Sequence, residues 1–155
     1  MSDTLSSTSY FTFLFGDVSY AVEVTSVKEV LPLEKITPVP RTADYLKGVI
    51  NIRGTVVSII DFRVLFGLPV SEPGKDTSII VAEVIDKDGT ILTFGFIADS
   101  VTGVGFLDKA PSAASNKTPF VKLLGHVDNS LVLILDLYKI FHFVEEDSIK
   151  QTRTM

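Results

Sequence analysis

The chain has no cysteine, which excludes disulfides and thiolate chemistry and is compatible with the cytosol. It has no long apolar run either. Stretches such as Leu131 to Leu135 fall far short of the roughly 20 residues that span a bilayer. The opening MSDTLSSTS lacks the basic start and apolar middle of a signal peptide, so a soluble cytoplasmic protein with a disordered leader is expected. Basic residues are few and scattered: 14 Lys and Arg stand against 19 Asp and Glu, a net charge of −5. A phosphate backbone needs a basic face from which to release counterions, so nucleic acid is not expected as a partner. Histidine occurs only at 126 and 142, without H-x-x-x-H, H-E-x-x-H or a carboxylate triad, and no metal or other cofactor is expected. There is no G-x-S-x-G elbow and no P-loop, and Gly103-Val-Gly105 is too short for a dinucleotide fingerprint.

What is present is a 155-residue chain, 46% hydrophobic, able to bury a core as one domain. Its organising stretch is Leu46 to Gly67, LKGVINIRGTVVSIIDFRVLFG. Val49, Ile50 and Ile52 lead to the turn signal Asn51-Ile52-Arg53-Gly54, and Val56, Val57, Ile59 and Ile60 resume the apolar run. This predicts a hairpin with Arg53 near its tip. Asp61 then caps a short helix that Gly67 ends, so Asp61→Ala is expected to cost about 1 kcal/mol, as cap losses do.

Taken in order, Tyr10 to Phe15 and Val18 to Val22 predict a first hairpin around Gly16-Asp17. Val24, Val27 and Val30, three apart, predict a short helix ending before Pro32, with Glu29 near its exit. Ile36 to Pro40 is extended, and its prolines suit an edge strand or loop. Leu68 to Thr77 is a linker within one compact unit, and Ser78 to Ile85 with Ile91 to Ile97 make a second long hairpin. A helical turn is expected over Ala98 to Val101, a strand at Val104 to Phe106, and a polar loop over Lys109 to Thr118. Phe120 to Val127 and Leu131 to Leu135 form the last hairpin, followed by a helix from about Leu137 to Phe143 and a charged tail.

The halves rhyme. At an offset of 75, Tyr45, Leu46, Lys47, Ile52, Ile60, Asp61, Leu65 and Phe66 meet Phe120, Val121, Lys122, Val127, Leu135, Asp136, Ile140 and Phe141. At an offset of 74, Tyr20, Val22, Val24, Ser26, Val27 and Val30 meet Phe94, Phe96, Ala98, Ser100, Val101 and Val104. Each half reads hairpin, helical turn, strand, hairpin, helix, over about 10–68 and about 78–143. The expected fold is all-β dominated: two small five-stranded antiparallel barrels with short helices, terminal segments free to exchange between them, and a groove between the barrels.

The rhyme pairs Asp61 with Asp136 and so raises a hydrolase built on a carboxylate dyad. Helix capping accounts for each Asp alone, and neither is followed by the Thr-Gly or Ser-Gly of an active-site loop. Phe11, Phe13, Phe15, Phe94 and Phe96 alternate along strands as core residues do. Arg53 has three readings: a solvated turn residue, an intramolecular partner for Glu29, or a planar donor fork gripping a partner's carboxylates or carbonyls. Asn51 reads equally as a turn-stabilising side chain.

The stretch resembles the signature segment of the CheW family of chemotaxis coupling proteins through Gly48-Val-Ile-Asn51-Ile-Arg53-Gly54, followed by an apolar strand and an Asp before a helix. The resemblance runs from the Tyr10 strand through Tyr20 to Val30 and Ile36 to Pro40 to the LVLILD ending at Asp136. It implies two five-stranded, SH3-like barrel subdomains without a catalytic centre. It implies a non-enzymatic scaffold linking the cytoplasmic tip of methyl-accepting chemoreceptors to the histidine kinase CheA in membrane-associated arrays. The receptor tip would dock between the subdomains near Val27, Glu29, Lys47, Asn51, Arg53 and Val104. The kinase's regulatory domain would contact the strand from Leu31 to Val39, with Leu31, Ile36 and Val39 on that face. The same fold occurs in CheA and in CheV; a chain of this length holds no kinase core or receiver domain, and the alternative reading is a CheW-like module cut from a larger CheV- or CheA-type protein.

Overall fold

The computed structural model describes residues 8–114 and 119–153, with side chains followed as far as Asp147. The expected leader up to residue 7, and residues 115–118 of the expected polar loop, lie outside the described residues.

Strands β1 (Ser9–Phe15) and β2 (Val18–Glu23) form the first hairpin, turning where Gly16 takes φ +60°. Val24–Ser26 is a single 3-10 turn, and the helix expected through Val30 does not form. β3 (Val27–Pro32) replaces it, paired with β6 (Ser78–Ile85). The ladder satisfies the backbone of β3, and β-branched valines fit a strand better than a helix. A three-residue spacing puts Val27 and Val30 on opposite faces of the strand, the first half-buried and the second 41% exposed. Glu29 therefore sits within an edge strand rather than at a helix exit.

β4 (Leu46–Ile52) and β5 (Thr55–Ile60) make the organising hairpin, whose turn residues Arg53 and Gly54 have φ +50° and +87°, the left-handed pair of a tight primed turn. Helix α1 (Phe62–Phe66) follows, with Asp61 as its N-cap and Gly67 closing it at φ +74°. β7 (Ile91–Ala98) pairs with β6 and runs through Asp99 directly into β8 (Ser100–Phe106), so the helical turn expected at 98–101 is absent. The cause is the first hairpin: Asp99 N–H donates to the Leu14 carbonyl at 3.0 Å, and Ser100 pairs with Leu14. β9 (Ser112–Ala113), β10 (Val121–Val127) and β11 (Ser130–Leu135) lead to α2 (Leu137–Arg153). The helix is longer than expected because no Gly or Pro interrupts it after Leu137.

The strands form two β subdomains, ordered β3-β6-β7-β5-β4 and β8-β1-β2-β11-β10-β9. The mostly-β, two-subdomain fold is the one expected, but pairing is not wholly antiparallel: β5 meets β7 and β2 meets β11 in parallel. Those junctions arise because each subdomain joins the first hairpin of one half to the strand and last hairpin of the other. The repeat survives in detail. Asp61 N–H donates to Tyr45 O at 2.7 Å and Asp136 N–H to Phe120 O at 2.9 Å, and both last hairpins carry a register shift at the matching place, Leu46/Gly48 and Val121/Leu123. Thr37 bridges Val49 as Ser112 pairs with Leu124, again 75 apart, so Ile36 to Pro40 is the edge-like loop its prolines suggested.

One aromatic core spans the seam. Phe13, Phe62, Phe96 and Phe141 are fully buried, each contributing roughly 2–3 kcal/mol by burial. Phe62 of α1 stacks on Phe96 at 4.4 Å and meets Phe15 of the other subdomain at 6.3 Å; Phe141 of α2 packs on Phe94 at 4.9 Å. Each helix thus leaves one subdomain and packs on the other.

Candidate functional site: the hairpin corner and inter-subdomain groove

The tip of the β4–β5 hairpin is built by its own residues. Asn51 Oδ1 accepts the Gly54 N–H at 2.9 Å, the turn-stabilising role its position suggested. Arg53 Nη2 donates to Glu29 Oε1 at 2.6 Å and Nη1 to Oε2 at 3.5 Å. Glu29 stands on β3 and Arg53 beyond β4, opposite ends of the strand order, so this pair meets across the closure of the subdomain. The Arg53 side chain is 75% exposed, and its hydrogen bond to Glu29 raises a pKa already too high for it to lose charge. The corner is an oriented, permanently charged donor fork facing solvent.

The other residues named for the receptor face are placed around this corner unequally. Val27 lies two residues before Glu29 on β3, half-buried against the shared core. Val104, 61% exposed, lies on β8, the edge strand of the other subdomain, with Phe106 exposed beyond it. β3 and β8 border one surface groove, lined by Val30, Leu31 and Pro32 on one side and Ser100 and Val101 on the other. Lys47 is at the far end of β4, on a separate depression shared with Ile36, Asp61 and Arg63. Of the kinase-face residues, Leu31 and Ile36 are half-buried against the apolar interior of the β3–β7 subdomain, while Val39 is 43% exposed.

The two aspartates behind the catalytic alternative are both held in structural roles. Asp61 caps α1 through Arg63 N–H at 2.9 Å, and its two oxygens receive Arg63 Nε at 3.0 Å and Nη2 at 2.9 Å. Asp136 caps α2 through Lys139 N–H at 3.0 Å. The pair aligned by the repeat is two caps. His142 stands 3.2 Å from Glu146 on its own helix, and no group of three or more His, Cys, Asp or Glu able to hold a metal occurs among the described residues.

Two carboxylate roles were missed. Asp99, at the β7–β8 corner, pairs with the buried Arg63 at 2.8 Å. Asp108, after β8, accepts the backbone N–H of Asp128 at 3.3 Å and of Asn129 at 2.7 Å, clasping the β10–β11 turn. An Asp-x-Arg just past an apolar strand hinted at the first; the partners of Asp99 and Asp108 lie too far along the chain for any local pattern.

Residues 9–145 match the model of the CheW-like domain. Chemotaxis protein CheW of Thermotoga maritima is 28% identical over 155 residues, 97% of this chain and of that protein. CheW of Helicobacter pylori is 30% identical over 133 residues, 83% of this chain and 78% of the relative, and CheW of Bacillus subtilis 31% over 130 residues, 80% of each. The crystal structure of the scaffolding protein TtCheW from Thermoanaerobacter tengcongensis superposes with a TM-score of 0.75 at 27% identity, covering 84% of both chains.

Proposed function

The chain belongs to the CheW-like family of chemotaxis scaffold proteins, and from that footing we propose that it is a non-enzymatic adaptor, one CheW-like domain that couples the cytoplasmic tips of chemoreceptors to the kinase CheA. The observation that carries this reading is the Glu29–Arg53 corner. A solvent-exposed ion pair adds little to stability, so its value lies in presenting the fork in a set orientation. The strand that carries Glu29 also borders the groove between β3 and β8, and Val30 and Val104 are exposed on the two edge strands. A receptor's helical tip fits this chemistry: apolar side chains enter the groove while Arg53 exchanges or shares Glu29 with a carboxylate or carbonyl on the helix.

The kinase's regulatory domain contacts the β3–β7 subdomain through Leu31, Ile36 and Val39, with Leu31, which also lines the groove, at the border of the two faces and Val39 the exposed member. Occupancy of both faces lets the receptor's state bias the kinase, a coupling of about 1–3 kcal/mol in allosteric systems generally. No helix of the described residues is long and apolar enough to cross a membrane, so a cytoplasmic adaptor reaches the array through its partners.

The test is reconstitution with receptor fragments and CheA. Adding the chain should raise kinase autophosphorylation. Arg53→Ala and Arg53→Glu should weaken receptor pull-down and kinase activation while the melting curve stays put. Undiminished receptor binding in both variants would remove Arg53 from the interface.

A further inference from the structure

Where the subdomains meet, a buried charged cluster lies beneath the depression that carries Lys47 and Ile36. Arg63, the second residue of α1, is only 5% exposed. Beyond its two bonds to Asp61, its Nη1 donates to Asp99 Oδ1 at 2.8 Å and to the Ser71 carbonyl at 3.4 Å. The Ser71 hydroxyl donates to the same Asp99 oxygen at 3.3 Å. The other oxygen, Oδ2, accepts the Gly16 N–H at 2.6 Å. One guanidinium thereby ties three segments, the β5–α1 junction, the linker and the β7–β8 corner, and Asp99 carries the tie on to the β1–β2 turn. The last belongs to the opposite subdomain.

The other seam repeats the device with different chemistry. Tyr138 is the second residue of α2 and stands 75 places after Arg63. Its hydroxyl donates to Asp86 Oδ1 at 2.9 Å, in the β6–β7 turn of the opposite subdomain. Each helix therefore leaves its own subdomain and sends its second side chain, directly or through Asp99, to the first-hairpin turn of the other.

Buried ion pairs are no more stable than apolar packing of the same volume, so added stability does not explain Arg63. Apolar contacts are also non-directional. The ring contacts filling this seam, such as Tyr20 with Phe66 at 6.3 Å and Phe66 with Phe120 at 5.7 Å, tolerate sliding, whereas the directed bonds of Asp99 to Arg63 and Gly16, and of the Tyr138 hydroxyl to Asp86, do not.

We infer that Arg63 with Asp99, and Tyr138 with Asp86, are two positioning struts that fix the angle between the subdomains. Resting on the adaptor reading, they also hold the receptor groove and the kinase face in one relation, so that occupancy of one is felt at the other.

The absence of native cysteine makes the angle measurable. Spin labels at Thr93→Cys and Leu131→Cys, one exposed site in each subdomain, report one inter-subdomain distance. The parent should give a single narrow distribution. Arg63→Met combined with Tyr138→Phe should at least double its width, and Arg63→Lys should restore part of the narrowing. Should Arg63→Met fail to fold, Asp99→Asn with Tyr138→Phe takes its place, since each leaves the helix caps intact. A distribution as narrow as the parent's in that milder double variant overturns the struts. In reconstitution, the same variants should lose at least fivefold in kinase activation while binding isolated receptor and kinase fragments within twofold of the parent. If the parent itself fails to activate the kinase, the adaptor reading falls and the distance measurement still judges the struts.

Discussion

The two last hairpins, β4–β5 and β10–β11, occupy equivalent places in the repeat, share a register shift, and turn through paired left-handed residues, Arg53-Gly54 and Asp128-Asn129. They are held to their edge strands in opposite ways. In the β10–β11 tip the carboxylate of Asp108 takes backbone N–H groups, so the contact is spent inside the fold. In the β4–β5 tip the contact is between side chains, Glu29 and Arg53, and faces outward. The register shift and the left-handed turn are architecture, shared by both copies. The side chains at the tip, Asn51 and Arg53 against His126 and Asp128, are where one copy has been made into a surface for another molecule.

The first test of this contrast lies at the helix caps. Asp136→Ala removes one capping bond from a half-buried site and should cost about 1 kcal/mol. Asp61→Ala also takes the partners of Nε and Nη2 from the guanidinium of Arg63, 6% exposed, leaving it Asp99 and Ser71, and should cost roughly 2–3 kcal/mol, above the figure for a cap alone, in urea melts of the two variants side by side. Equal losses would mean that Arg63 finds compensation from Asp99 and Ser71.

Next comes the register shift. Gly48 has φ +140°, and a Cβ there would stand 2.1 Å from the Thr37 carbonyl oxygen, whereas the matching position of the other hairpin carries Leu123. Gly48→Ala should therefore cost roughly 3 kcal/mol and loosen the Thr37–Val49 bridge, visible as faster amide exchange at Val49. Unchanged exchange would show that the loop at 36–40 can move aside.

The tips themselves follow. Asp108→Ala should cost about 1 kcal/mol in a thermal melt, while Arg53→Ala leaves the same melt unmoved. A melt lowered by Arg53→Ala would assign the Glu29 pair to structure.

The smallest effect is at Tyr45, matched by Phe120. The Tyr45 hydroxyl donates to Asp147 of α2, and burial, with help from that bond, pushes its pKa above the ordinary tyrosine value. Above about pH 10 the unfolded chain sheds this proton while the folded chain keeps it, so stability falls as pH rises. Tyr45→Phe, which makes the first copy like the second, should flatten part of that alkaline slope. Tyr10, Tyr20 and Tyr138, also shifted upward, keep the remainder.

Strand and turn positions were legible wherever a local cause sufficed, as in the Arg53-Gly54 turn, the Asp61 and Asp136 caps and the offset-75 repeat. Two misreadings had a common source. The three-residue valine spacing suggested a helix, and residues 98–101 a helical turn, but both segments pair with distant strands whose ladders outweigh local preference. The site was half legible: Arg53 stood out as a guanidinium in a turn, and Glu29 was one of its three readings, yet only closure of the subdomain brings them to 2.6 Å.

By itself, the sequence determined the elements, their turns and caps, and the twofold rhyme, because those depend on backbone geometry and side chains within a few residues of one another. The tertiary structure decided which hairpin joins which sheet, and therefore that Asp99 reaches Arg63 from 36 residues away and Asp108 grips a turn 20 residues on. Those pairings arise where edge strands from opposite halves must be closed and buried charges must find partners, and both conditions exist only once the chain has packed.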